Sequence, residues 1–269
     1  CLSSVNLEYF DDWKDSDNFI DDMITMLDNV LEHFIEHSVD TKAMGKYNAN
    51  YERFKNYVKE SNKGFTKAAY SAYRERAIGL GTMGFCSYLQ RNGILFESMY
   101  ATSFNHRAFS YIKERAISAS TRLAEERGEA PDMVGSGRRN SSIICGGTSP
   151  SIEPQRANVF THKTLTGSYK VKNKYLEALL KKKGLNNEDT WKDIAANEGS
   201  VQHLNELSEE EKEVFKTAPE LNQLWIIEHA HQRQQYICQS QSVNLFFTFP
   251  KATEPQEVHD LYLDYVNSV

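Results

Sequence analysis

The sequence is poor in the features that would place it in a membrane, on a nucleic acid or outside a cell. No apolar run approaches the length of a membrane span, and mean hydropathy is −0.60, which excludes a transmembrane protein. Basic residues are not in excess: 31 Lys+Arg stand against 37 Asp+Glu, for a net charge of −6. A dedicated nucleic-acid binder needs a basic face for phosphate, so that class is set aside. Gly and Pro are sparse, 14 and 6 in 269 residues, and no low-complexity segment or solenoid-period repeat interrupts the chain. The four cysteines, Cys1, Cys86, Cys145 and Cys238, form no CxxC pair. They read as thiols of a cytoplasmic protein rather than a disulfide framework. The first residues, CLSSVNLEYFDDWKD, carry no basic stretch before an apolar one, so no signal peptide is expected. A start at Cys reads as a processed product, a split-gene product or an excerpt.

What is present is a globular composition, 40% hydrophobic and 12% aromatic, enough for a sizeable core. Residues 2–10 read as a strand ending at the turn-like Asp11-Asp12. A helix is predicted over 18–37, where Phe19, Ile20, Met23, Ile24, Leu27, Val30, Leu31 and Phe34 recur at helical spacing. Residues 40–66 are polar and weakly periodic, an inserted segment with a short helix. AIGLGTMGF (77–85) suits a buried strand closely approached by other backbone. A long helix is predicted from Asn105 to Glu126, with Gly128 just past its end. Residues 131–154 are the most loop-like. A basic helix follows from Lys172 to Lys183, then a capping box at Ser208–Glu211, then a helix opened by Pro219 and running to about Gln235. SVNLFFTF (242–249) reads as a strand covered on both faces, and Pro255 opens a last helix. Strands separated by long helices imply crossover connections, hence an α/β fold with a largely parallel sheet.

Several motifs carry chemistry in other settings. His33-Phe-Ile-Glu36-His37 has the H-x-x-E-H form of zinc peptidases, but it lies on an ordinary amphipathic stripe with no third ligand in view, so no metal is expected. His229 and His231 are two apart and point away from each other on a helix. GLGTMG (79–84) has dinucleotide-loop spacing but no acidic residue at the end of a second strand. The stretch SSIICGGTS (141–149) is rich in hydroxyls, glycines and backbone N–H groups, a composition suited to phosphate.

Four segments, RAIGLGTMGFCSYLQRNGILFES, GRRNSSIICGGTSPSIEPQRANVFTHKTLTGSYKVKN, NEGSVQHL and CQSQSVNLFF, occur in the order found in the large (alpha) subunit of class I ribonucleotide reductase. The chain resembles that family nearly end to end apart from 40–66, with the texture of bacterial and phage versions. The resemblance implies that residues 1–269 are one partial domain, the second half of a ten-stranded α/β barrel, helix-rich, with an inserted helical segment. It implies reduction of a ribonucleotide at the 2′ carbon by thiyl-radical chemistry. Cys1 matches one member of the redox cysteine pair, its partner lying outside this chain. Ser141 and Ser142 match the end of the loop that holds substrate phosphate. The resemblance also implies a metal-bearing small subunit that generates the radical, a second large subunit, and thioredoxin or glutaredoxin as reductant. Effector nucleotides would bind outside this segment, and no cofactor, nucleic acid or membrane is implied for it.

The sequence departs from the family in identifiable places. The radical-bearing finger loop and the other redox cysteine would precede Cys1, and the paired tyrosines of the radical path would follow Val269. About ten residues that members carry between RRN and SSIICGG are missing here, so Asn140 abuts Ser141. Cys86 stands where members commonly have His. These departures leave a second expectation, a non-catalytic fragment or split-gene half that acts by assembly with the missing portion.

Overall fold

A computed structural model describes residues 1–16, 18–37, 64–141, 143–144, 152–165, 167–248 and 254–267. Strand β1 (Leu2–Asn6) passes through a 3₁₀ turn (Leu7–Tyr9) into the short helix α1 (Phe10–Trp13). The strand expected over 2–10 is therefore only half that length. Asn6 ends it by turning its side chain onto the N–H of Glu8, 3.0 Å away, a local bond that competes with ladder pairing. Helices α2 (Phe19–His37) and α3 (Gly64–Glu75) precede β2 (Gly79–Met83). Most of the proposed insertion at 40–66 lies outside the described residues; its last three residues belong to α3.

After β2 come α4 (Phe85–Arg91) and the long α5 (Met99–Arg127). Helix α5 begins six residues before the expected Asn105 because Ser98, extended at φ −147°, caps the N–H of Ala101. The chain then forms the hairpin β3 (Val159–Thr164) and β4 (Gly167–Lys172). Five helices follow: α6 (Lys174–Lys182), α7 (Glu188–Ala196), α8 (Glu209–Val214), α9 (Gln223–Gln234) and α10 (Pro255–Asn267). The capping box at Ser208–Glu211 forms as expected. Pro219 instead sits in a separate 3₁₀ turn, Ala218–Glu220, and Asn222 caps α9 afresh. The basic helix starts at Lys174 because Asn173 caps it, leaving Lys172 in β4.

The described sheets are two pairs. β1 and β2 run parallel, Leu2 opposite Gly79 through Asn6 opposite Met83. β3 and β4 are antiparallel. The crossover expected between strands is thus present, and an antiparallel hairpin stands beside it. The main core joins the buried face of α2 (Ile20, Ile24, Leu27, Leu31) to α5 (Phe104, Phe109, Ile112, Leu123), with Val5, Leu80 and Phe85 between. A second, smaller core gathers Val159, Leu176, Leu180, Trp191, Ile194 and Phe215 under the hairpin.

The segment 242–248 is a correction to the expectation. Its described residues form no strand and are half-buried to exposed rather than covered on both faces. Two of its backbone donors are taken by side chains: Asn244 N–H donates to Glu153 at 2.8 Å and Phe246 N–H to Gln223 Oε1 at 2.7 Å. No neighbouring strand among the described residues offers carbonyls, so aromatic β-formers alone cannot hold a ladder there.

A buried ionic cluster ties these elements together. Asp28 of α2 is fully buried. Its Oδ1 accepts from Arg76 Nε at 2.8 Å and Asn140 Nδ2 at 3.1 Å. Its Oδ2 accepts from Arg139 Nε at 2.8 Å and from Arg127 at 3.1 Å. Glu32, one turn on, accepts from Arg76 at 2.7 Å and Arg139 at 3.2 Å. Burial alone would push the Asp28 carboxyl up, but the hydrogen bonds and charges of Arg76 and Arg139 outweigh it and hold the group below its ordinary value.

Two predictions follow from this packing. Asp28→Asn leaves two buried guanidinium groups short of a counter-charge and should destabilise the fold by about 3–5 kcal/mol, read as a fall in thermal midpoint. Because the Asp28 carboxyl titrates below its unfolded value of 3.8, its contribution is complete above that pH and is lost as pH falls through the lower folded value. The wild-type stability curve should therefore drop more steeply on its acid side than the Asn variant's. The second prediction concerns the outer edge of β1, which has no strand partner among the described residues and ends in an exposed Leu2. The 269-residue chain alone should self-associate or capture a partner, and a monodisperse monomer on size-exclusion chromatography would contradict this.

Candidate active site

β2 is the central lane of the candidate site. The Gly79 N–H donates to the Cys1 carbonyl at 2.8 Å on one side, and the Leu80 N–H donates to the Ile143 carbonyl at 2.7 Å on the other. Leu80 also makes a parallel bridge with Ile144. Ile144 in turn receives the Cys238 N–H on its carbonyl at 3.1 Å, and its own N–H points to the Cys238 sulfur at 3.5 Å. The order across the molecule is therefore the Cys1 strand, β2, the Ile143–Ile144 segment and Cys238. Residues distant in sequence occupy adjacent backbone lanes.

Cys1 and Ser141 lie at the amino ends of the lanes that flank β2. Cys1 is exposed. Ser141 is half-buried, and its N–H donates to the Glu75 carbonyl at 3.1 Å. Ser142 and Cys145 lie outside the described residues. Two of the three residues singled out from the sequence are thus placed, one on either side of the chain entering β2.

The lane entries are fixed by side chains that sequence reasoning quoted but gave no role. Asn140 is fully buried, and its Nδ2 donates both to Asp28 and to the Arg76 carbonyl, each at 3.1 Å. Its own N–H reaches Ser120 Oγ on α5 at 3.1 Å, while the Ser120 hydroxyl donates to Asn140 Oδ1 at 3.0 Å. Arg139 caps α5 by donating to the carbonyls of Arg127 and Gly128, at 3.0 and 2.9 Å. Arg76 adopts φ +44°, a left-handed conformation that costs an arginine about 1 kcal/mol or more. Its guanidinium bonds over-determine that conformation. The GRRN run was the available signal: two arginines and an amide in a loop need partners if buried.

The other thiols and imidazoles divide by environment. Cys86 is buried, and burial pushes its thiol up to about 12, which leaves it unreactive near neutrality. Cys238 is exposed. His229 is buried, and burial brings it down to about 4; its Nε2 lies 2.9 Å from the Phe96 carbonyl. His33 and His37 sit on α2, and among the described residues no three metal-capable side chains converge. The glycines of 79–84 form β2 and the turn after it. No helix among the described residues is long and apolar enough to cross a membrane.

Comparison with known proteins shows the family of the chain. The family model described as ribonucleotide reductase, barrel domain, matches residues 1–141 and 139–267. The two matches overlap at residues 139–141. The chain is 42% identical, over 98% of its length, to the ribonucleoside-diphosphate reductase large subunit of Invertebrate iridescent virus 6, of which it covers 26%. It is 38% identical, over 97% of its length, to the putative large subunit of Frog virus 3, covering 44% of that protein. Among solved structures it is similar to the Actinobacillus ureae class Id ribonucleotide reductase alpha subunit, with a TM-score of 0.77 and 37% identity over 99% of this chain and 47% of that one. It thus spans less than half the length of these relatives. With matches covering nearly all of its residues, the chain belongs to the ribonucleotide reductase family and carries part of the family's α/β barrel domain.

Proposed function

We propose that this chain supplies part of the active site of a ribonucleoside-diphosphate reductase large subunit, as one half of a ten-stranded barrel working in the cytoplasm. The observation that carries this reading is the placement of Cys1 and Ser141 on either side of the entry to β2, in a chain whose family membership is established. Replacing a ribose 2′-hydroxyl by hydrogen takes two electrons and two protons. Two thiols supply them, closing to a disulfide as the hydroxyl leaves in water. In this reading Cys1 is one of those thiols and pairs with a cysteine outside this chain. Its exposure suits it to exchange with thioredoxin or glutaredoxin.

Ser141 binds the substrate diphosphate through its hydroxyl, its N–H being held by the Glu75 carbonyl, and Ser142 adds its hydroxyl and backbone N–H. The Asp28–Arg76–Arg139–Asn140 cluster positions them by fixing the backbone immediately before. A small metal-bearing subunit generates the radical, a second large subunit completes the assembly, and effector nucleotides bind elsewhere in the longer protein.

The test is reconstitution. Combined with the segments its relatives carry and with a small subunit, the chain should support deoxynucleotide formation from ribonucleoside diphosphates. Cys1→Ser should then abolish multiple turnover, with at most one product per site, while substrate binding persists. An assembled complex that makes no product under any reductant would favour the non-catalytic reading, in which the chain acts only by assembly.

A further inference from the structure

Residues 158–217 form a lobe of their own beside the main body. Their core, Val159, Leu176, Leu180, Trp191, Ile194 and Phe215, shares no residue with the main core among the described residues. The lobe is closed at its base by its own groups. Asn158, buried at the entry, donates through Nδ2 to the carbonyls of Gly199 and Phe215, at 3.0 and 2.8 Å. Its Oδ1 accepts from the Asn173 side chain at 2.8 Å, and its carbonyl accepts the Asn173 N–H, also at 2.8 Å. The chain enters and leaves through one neck. Ala218, just past the lobe, donates its N–H to the carbonyl of Gln155, just before it, at 2.8 Å. A segment with its own core and adjacent ends has the anatomy of a separate body.

Polar groups join this lobe to the main body. Gln90 of α4 accepts from Asn173 at 2.9 Å. Glu8, just beyond β1, is ion-paired with Lys174. Glu97 is ion-paired with Lys216 at 3.1 Å, beside the neck. The seam around these contacts is not filled. A cavity of about 660 Å³ lies there, with Glu8 and Ser87 on one side and Phe160, Val171 and Tyr175 on the other. Phe160 and Val171 keep 49% and 39% of their surface exposed. A few hydrogen bonds and ion pairs around a gap exchange for water at a modest net cost, whereas separating an apolar interface exposes its whole area.

We propose that the lobe swings as one body about the neck between Gln155 and Ala218, held shut by a latch made of Glu8–Lys174 and Gln90–Asn173. Opening widens the cavity and leaves both cores intact. The inference goes beyond the reductase reading and uses none of its residues.

Electron–electron double resonance on the full chain tests it. In a C1S/C145S/C238S background, spin labels go on E125C in α5 and K182C in α6, and unlabelled chain is added to dilute any contact between copies. The parent latch should give one dominant distance. E8Q/Q90A should raise the population of a second distance by about fivefold or more. Tryptophan emission should stay unchanged, because Trp191 remains in the lobe core. E177Q, on the lobe but away from the seam, should leave the distances as in the parent. A distribution that E8Q/Q90A does not alter would overturn the proposal. So would a red shift of the emission in that variant, which would mean that the lobe unfolds rather than swings.

Discussion

One buried carboxylate organises the approach to the candidate site. Asp28 is surrounded by Arg76, Arg127, Arg139 and Asn140, which come from three separate stretches of chain. A buried carboxylate left alone would be costly in water-free surroundings. Here its lone pairs are filled, and Glu32 balances part of the surplus positive charge. The cluster's position matters more than its net energy. Arg76 is three residues before β2, and Asn140 is three before the Ile143–Ile144 lane. Joining both to one carboxylate sets the two lanes side by side at the correct height. In a barrel built from parallel lanes, a slip of one residue would exchange the faces of every side chain. A directional ionic cluster resists such a slip better than apolar packing alone.

The helices were legible because their signals are local. The stripe on α2, the Ser208 capping box and the Gly128 stop each lie within a few residues of the boundary they set. The errors have local causes as well, but ones that single-residue propensity hides. Asn6 breaks a strand early, Ser98 starts a helix early, and Asn222 restarts one after Pro219, all by turning side chains onto backbone N–H groups. The hairpin 159–172 went unread although GSYKVK opens on Gly167, with two residues between it and the end of VFTHKT. Its residues are mostly exposed on β4, so no apolar alternation marked it. Segment 242–248 failed in the opposite direction. Its composition favours a strand, yet pairing requires a neighbour, which no propensity supplies.

The site was legible only through resemblance. Nothing in the spacing of Cys1 and Ser141, 140 residues apart in sequence, says that they flank the same strand. That proximity arises from a crossover connection, a long-range feature. What sequence reasoning passed over was the support: Asp28, hidden in an amphipathic helix, and Arg139-Asn140, read as part of a loop. A charged residue on the apolar side of a helical stripe was the usable sign. Asp28 falls between Ile24 and Leu31 on the buried face, where a carboxylate has to be paired.

The glycines of GLGTMG show how a motif can be fully explained by packing. Gly79 and Gly81 lie in a central strand whose backbone bonds on both sides. Gly84 follows at φ +78°, and a Cβ there would stand 2.1 Å from Asn6 Oδ1 and 3.0 Å from Glu8 N. The left-handed turn and the close crossing of the β1 exit both demand glycine. The Asn6 side chain therefore presses against the turn at which α4 begins, where a dinucleotide loop would hold pyrophosphate. Helix α4 itself is seven residues long and packs Phe85 and Leu89 into the main core. The same backbone closeness that mimics a nucleotide fingerprint instead locks β1 against β2. That contact keeps Cys1 beside the entry to the central lane.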